Sequence, residues 1–199
     1  AEILKALVRA PRGLSAEQLL YILTVTPDQT PEEWEKNTRG KAESEKLCQD
    51  IEAELFTLQH LAIVKIRSDG RLGLQDEVYR IYKNALSQGA DEQKAETEAR
   101  KALYRKLEAW AQHQFKNHLR DLTLLQAQDE RQLKFERPSM ALDIRFPLLP
   151  RRGQEERDRL WAEMQRWELE SLHYSLLADF RHNFNHVLFE IADQKWVAN

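Results

Sequence analysis

The sequence predicts a mainly α-helical chain carrying one short β-hairpin, and three observations predict it. Glycine occurs 6 times in 199 residues, about half the usual frequency of roughly 7%, so tight turns and phosphate-cradling loops are few. Apolar residues recur at spacings of three and four through most of the chain. One stretch, from Ala62 to Leu74, breaks that period with β-branched residues around an Asp-Gly turn. The composition, 42% hydrophobic and 32% charged, is that of an ordinary soluble protein rich in charge. A length somewhat above the usual domain size of about 150 residues permits a real core. A net charge of −3 excludes a general polyanion binder.

Ile3, Leu4, Leu7 and Val8 share one helical stripe, and Pro11-Arg12-Gly13 ends that helix. Ser15 with Gln18 three positions on is a capping-box signature, followed by Leu19, Leu20, Ile22 and Leu23. Thr30-Pro31-Glu32-Glu33 reads as another helix start with proline at the first helical position, or as a short turn before Arg39-Gly40. Lys41 to His60 forms the next helix, expected to bury Leu47, Ile51, Leu55 and Leu58. Ala62–Arg67, the turn Ser68-Asp69-Gly70 and Arg71–Leu74 predict the hairpin. Asp76 is expected to cap a helix carrying Val78, Tyr79, Ile81 and Tyr82. Helices, a hairpin and a further helix within ninety residues make a winged-helix arrangement over 1–89.

Beyond Gly89 an α-helical module is expected over 90–199, whose paired helices would suit a superhelical, TPR-like array. Residues 91–136 hold neither Gly nor Pro, with a stripe of Ala95, Ala99, Leu103, Leu107 and Trp110, then Phe115, Leu119 and Leu122, and a break near Gln128-Asp129. Pro138, Pro147, Pro150 and Gly153 mark a connector over about 138–153. Two helices follow. One spans about 154–178, with Trp161, Met164, Trp167, Leu172 and Leu176 inward, and one spans 182–197, with Val187, Leu188, Ile191 and Trp196 inward.

Chemistry-bearing motifs are scarce. The Gly-Lys pair, Gly40-Lys41, is followed by Ala42 and preceded by Glu35 where a phosphate-binding loop needs glycine, so this chain has no P-loop. His182 and His186 stand four apart as two metal ligands would, but Asn183-Phe184-Asn185 between them lacks the glutamate of a zinc protease. They read as packing or solvated histidines, with no metal expected. Cys48, the one cysteine, excludes an internal disulfide and fits a reducing, cytoplasmic setting. On an amphipathic helix it reads as a small hydrophobe. No Ser/His/Asp order or paired carboxylates point to catalysis, so no enzyme activity is expected of this chain. No run approaches the ~20 apolar residues that cross a bilayer. The chain opens on a helix without an initiator methionine or signal-peptide core, and is expected to be a piece of a longer protein.

A winged helix suggests duplex DNA, with the helix before the wing in the major groove. That helix carries two lysines against five acids between Lys41 and His60, and such a surface repels phosphate. The wing offers Lys65, Arg67 and Arg71 as the nucleic-acid contacts of this alternative, a winged-helix transcription regulator with a helical dimerisation or sensing half.

Residues 1–82 resemble the winged-helix subdomain that follows the nucleotide-binding core in STAND (NB-ARC-like) signalling ATPases. The matching stretches are Ala10–Ser15, Leu58–Val64 and Gly70–Tyr79. The last resembles the family's hydrophobic-His-Asp motif, with Leu74 and Asp76 in place and Gln75 standing where the family has histidine. The resemblance implies that Leu74, Gln75 and Asp76 sit at a nucleotide-sensing position, with glutamine offering a neutral hydrogen bond rather than a charge-assisted one. Glu170–Asp179 resembles more loosely the helices leading to a sensor array in bacterial members. The family reading implies an upstream core binding ADP or ATP with Mg²⁺, downstream repeats of the same chain as partners, and a regulatory role without catalysis in this segment.

Overall fold

A computed structural model describes residues 2–38, 42–86, 89–136, 151–180 and 183–184. Its described elements are α1 (Glu2–Arg9), α2 (Ala16–Thr24), α3 (Pro31–Thr38), α4 (Ala42–His60), β1 (Val64–Ile66), β2 (Leu72–Leu74), α5 (Asp76–Ala85), α6 (Ala90–Glu136) and α7 (Arg151–Ala178). The chain is therefore mainly helical with one two-stranded antiparallel hairpin. No described helix is long and apolar enough to cross a membrane. Two compact units are present: Ala1–Trp110 with His173–Asn199, and Ala111–Leu172. The boundary expected at Gly89 falls between α5 and α6, and the first unit runs on to Trp110.

In the first unit α1 buries Ile3, Leu4, Ala6, Leu7 and Val8. Gly13 turns the chain at φ +81°, so that Leu14 exchanges two hydrogen bonds with Leu72 of β2, at 2.9 and 2.8 Å. α2 starts on the expected capping box. The Ser15 hydroxyl accepts from the Gln18 amide and the Gln18 carboxamide accepts from the Ser15 amide. α3 is a true helix of two turns, opened by a second capping box between Thr30 and Glu33. It delivers Trp34 to an aromatic cluster with Tyr21 and Trp110, ring centroids 4.9–5.5 Å apart. Each such pair contributes about 0.5–1.5 kcal/mol beyond its buried area. The Trp34 indole N–H donates to the Thr24 hydroxyl at 2.7 Å.

α6 clamps α1. Arg9 donates three hydrogen bonds of 2.8–3.1 Å to the buried Glu96 carboxylate, and the Tyr104 hydroxyl donates to the Arg9 carbonyl at 2.9 Å. The end of α7 joins the same unit through Tyr174, whose hydroxyl accepts from the fully buried Gln18 at 3.3 Å.

Several expectations need correction. α6 runs unbroken through Gln128-Asp129 for 47 residues, about 70 Å at 1.5 Å per residue, because no Gly or Pro interrupts 91–136. On α4 Leu55 and Leu58 are buried as expected, but Leu47 is 42% exposed, for it lies on the wall of an open groove. In the second unit Leu122, Met164, Trp167 and Leu172 are buried, whereas Leu119 is 43% and Trp161 50% exposed. Gly153, expected to end the connector, lies in the first turn of α7. Residues 138–150 of the connector and the expected helix at 182–197, apart from Asn183 and Phe184, lie outside the described residues.

Candidate functional site

The motif at the exit of the hairpin is built from the end of α4 onward. Ile63 N–H bonds the Leu58 carbonyl at 2.9 Å and Ala62 N–H bonds the Gln59 carbonyl at 3.0 Å, the paired bonds of a Schellman ending. Ala62 occupies its left-handed position at φ 54°. β1 and β2 then pair in the register Val64↔Leu74, Lys65↔Gly73, Ile66↔Leu72. Val64, Leu72 and Leu74 turn into the core. Leu74 is thus a packing residue, which fixes the backbone from which Gln75 and Asp76 emerge.

Gln75, half-buried, is the N-cap residue of α5 with φ −61° and ψ 145°. Its N–H bonds the Ile63 carbonyl at 3.0 Å, while its side chain makes no capping bond. Asp76 does not cap α5 as expected. It is the first helical residue, where a carboxylate favours the positive end of the helix dipole, and its Oδ1 accepts from Lys65 Nζ at 2.9 Å. That hydrogen bond, then the lysine's charge, hold its carboxyl below the ordinary value of 3.8. Asp76 itself is exposed.

Lys65, Arg67 and Arg71 share one face of the hairpin, since Lys65 lies opposite Gly73 and Arg67 N–H bonds the Arg71 carbonyl at 2.8 Å. They are engaged differently. Lys65 pairs with Asp76. Arg71 is buried, with Asp69 Oδ2 at 3.5 Å. Arg67 is exposed, lies over Gly73 and adds its charge to that of Lys65 on Asp76, without a salt bridge among the described residues. On α4 Glu45, Asp50, Glu52 and Glu54 are all exposed, an acidic surface that repels phosphate.

A groove of about 630 Å³ opens elsewhere in the first unit, with Ile3, Ile22, Leu23 and Leu103 among its lining and Leu47 and Ile51 on the α4 wall. Cys48 is a half-buried free thiol. Among the described residues no group of three or more His, Cys, Asp or Glu is placed to hold a metal. His182, His186, Gly40 and Lys41 lie outside the described residues. Sequence reasoning passed over Tyr21 and Trp34, took Gln18 only as a capping residue, and did not connect Glu96 to Arg9. Trp34 left a signal as the one large apolar residue of an otherwise polar helix. The ion pair of Arg9 with Glu96 left none, since its partners stand 87 positions apart.

Comparison with known proteins finds no match for this chain among family models, curated proteins or solved structures.

Proposed function

We propose that the chain is a regulatory interaction segment of a larger STAND-type signalling ATPase, a winged helix that couples a nucleotide-binding core to a downstream helical, TPR-like sensor module. The observation that carries this reading is α5. The helix is amphipathic, yet none of its residues is buried, with Val78 and Tyr79 half-buried, Ile81 67% exposed and Tyr82 37% exposed. An apolar helical face left in water marks a surface meant for a partner, and here it directly follows the hairpin-exit motif. In this reading the partner is the upstream core, which holds ADP or ATP with Mg²⁺. Gln75 turns its uncommitted carboxamide toward the nucleotide, and Asp76 braces the hairpin through Lys65. Switching is a rigid-body rotation of the winged helix off the core.

Limited proteolysis of the full-length gene product tests this. With ADP the hairpin and α5 resist cleavage, and with a non-hydrolysable ATP analogue they are cut. Ile81→Asp removes the difference and Asp76→Ala diminishes it. Cleavage indifferent to nucleotide in the unsubstituted protein overturns the reading.

A further inference from the structure

The groove of the first unit is apolar inside, and its charged lining is compensated in all but one place. Ile3, Ala6 and Leu103, all buried, form its floor. Ile22, Leu23 and Ile51 stand half-buried beside them, and Ala102 is exposed on the α6 wall. Of the charged residues, Glu2 is paired with Lys5 at 2.9 Å and Arg9 with the buried Glu96 at 2.8 Å. Glu54 is engaged as well. Lys106 is the one left over, half-buried on the α6 wall and without a partner among the described residues.

We propose that this groove binds a medium-chain aliphatic carboxylate, with its hydrocarbon along α1 and α6 and its head group on Lys106. Size admits such a ligand. The groove's volume of about 630 Å³ lies within the range of about 300–1,000 Å³ that small-molecule sites occupy. Length selects among chains. The α6 lining runs from Ala99 to Lys106, about 10 Å at 1.5 Å per residue. An extended chain advances about 1.2 Å per bond, so about eight to ten carbons span that distance. Ala6, Ala99 and Ala102 keep the groove wide enough for a chain to lie against the floor. Charge selects the head group. A carboxylate gives Lys106 the counter-ion it lacks through a charge-assisted hydrogen bond, whereas a cationic head meets a like charge. Contact with the chain also removes water from Leu47, which is 42% exposed on the α4 wall. The proposal stands apart from the regulatory reading above, whose partner covers α5, because no residue of α5 lines the groove.

The test titrates the protein, ¹³C-labelled at its isoleucine and leucine methyls, with decanoate, octanoate, decanol and decyltrimethylammonium, each below its micellar concentration. Decanoate is expected to shift the methyls of Ile3, Ile22, Ile51 and Leu103 and to leave Ile81, on the exposed face of α5, in place. Octanoate binds about 15-fold more weakly than decanoate, at about fourfold for each methylene lost. Decanol binds at least about tenfold more weakly than decanoate, for want of the charge-assisted bond, and the ammonium compound more weakly still. Lys106→Met removes the difference between decanoate and decanol and leaves decanol binding unchanged. Ala102→Trp, at an exposed position on the lining, fills the groove and abolishes binding of both with the remaining spectrum in place. Decanol bound as tightly as decanoate by the unsubstituted protein overturns the proposal, and so does a preference for decanoate that survives Lys106→Met. Shifts centred on Ile81 overturn it as well, since they mark adsorption to any exposed apolar face. A groove that ignores decanoate but takes up an amphipathic helical peptide also overturns it, and assigns the surface to a protein.

Discussion

Gly13→Ala probes the joint between the first helix and the hairpin. Gly13 sits at φ +81°, and a Cβ built there would lie 2.7 Å from the Leu72 carbonyl oxygen and 3.2 Å from Arg71 Cβ. Gly70 has nearly the same conformation, φ +78°, but open space around its Cβ position. A left-handed conformation costs an L-residue about 1–2 kcal/mol, partly offset by about 0.4–1 kcal/mol from a stiffer unfolded chain. Gly70→Ala is therefore expected to lose no more than about 1.6 kcal/mol. At Gly13 the clash is with backbone, so Leu72 must back away and strain or break its two bonds with Leu14. At about 0.5–1.5 kcal/mol for each bond, Gly13→Ala is expected to lose about 1–3 kcal/mol more than Gly70→Ala. Urea unfolding followed by tryptophan fluorescence, with Trp161 and Trp167 of the second unit replaced by phenylalanine, reads the first unit through its buried Trp34 and Trp110. Equal losses in the two variants would refute the reasoning, for the close approach of Gly13 to Leu72 would then carry no energy.

The reverse substitution, Ala62→Gly, relieves a left-handed alanine and is expected to raise stability by about 0.5–1 kcal/mol in the same assay. Glu96→Gln leaves Arg9 facing a neutral amide and is expected to cost about 1.5–3 kcal/mol; the double change Arg9→Met with Glu96→Leu should cost less, since the cation it leaves behind, Arg100 at 4.0 Å from Glu96, is over a third exposed and keeps its hydration. Burial raises Tyr21 and Tyr104 above the ordinary 10.0, so these phenols stay protonated in the fold after the unfolded chain begins to ionise. Stability is then complete below about pH 10 and falls as pH rises through the folded values; ultraviolet titration should show delayed ionisation, and Tyr104→Phe should reduce the alkaline loss. The lowered Asp76 carboxyl has the opposite sign. Its contribution is present above its unfolded value of about 3.8 and disappears as pH falls through the folded one, a segment of the acid limb that Asp76→Asn should flatten.

Local signals in the sequence were strong where one short segment decides the outcome. The Ser15–Gln18 capping box, the α1 stripe and the Asp69-Gly70 turn each depend on residues a few positions apart, and each stands in the structure where the spacing put it. Burial was less legible because it depends on what a face meets. Leu47 and Leu55 carry the same side chain on one amphipathic helix, yet Leu47 borders an open groove and Leu55 is in the core. Asp76 misled for a subtler reason. A carboxylate at a helix start serves equally as a cap or as a first-turn charge, and Lys65, eleven positions earlier, drew it to the second role. Of the hairpin-exit site, the order of residues was readable, while the engagement of two of its three cations by Asp76 and Asp69 required coordinates.

Gln18 also sets a timetable. Its carboxamide is fully buried against Tyr174, 156 positions further along the chain. At about 5–20 residues per second, the ribosome needs about 8–30 s to go from making one partner to making the other. During that interval α1, α2 and the hairpin can assemble, since their contacts lie closer together in sequence, but the pocket that receives Tyr174 stays open to water. The first unit to be synthesised is thus among the last to be finished. A nascent or truncated chain that stops short of Tyr174 exposes a polar, half-built face to chaperones and proteases.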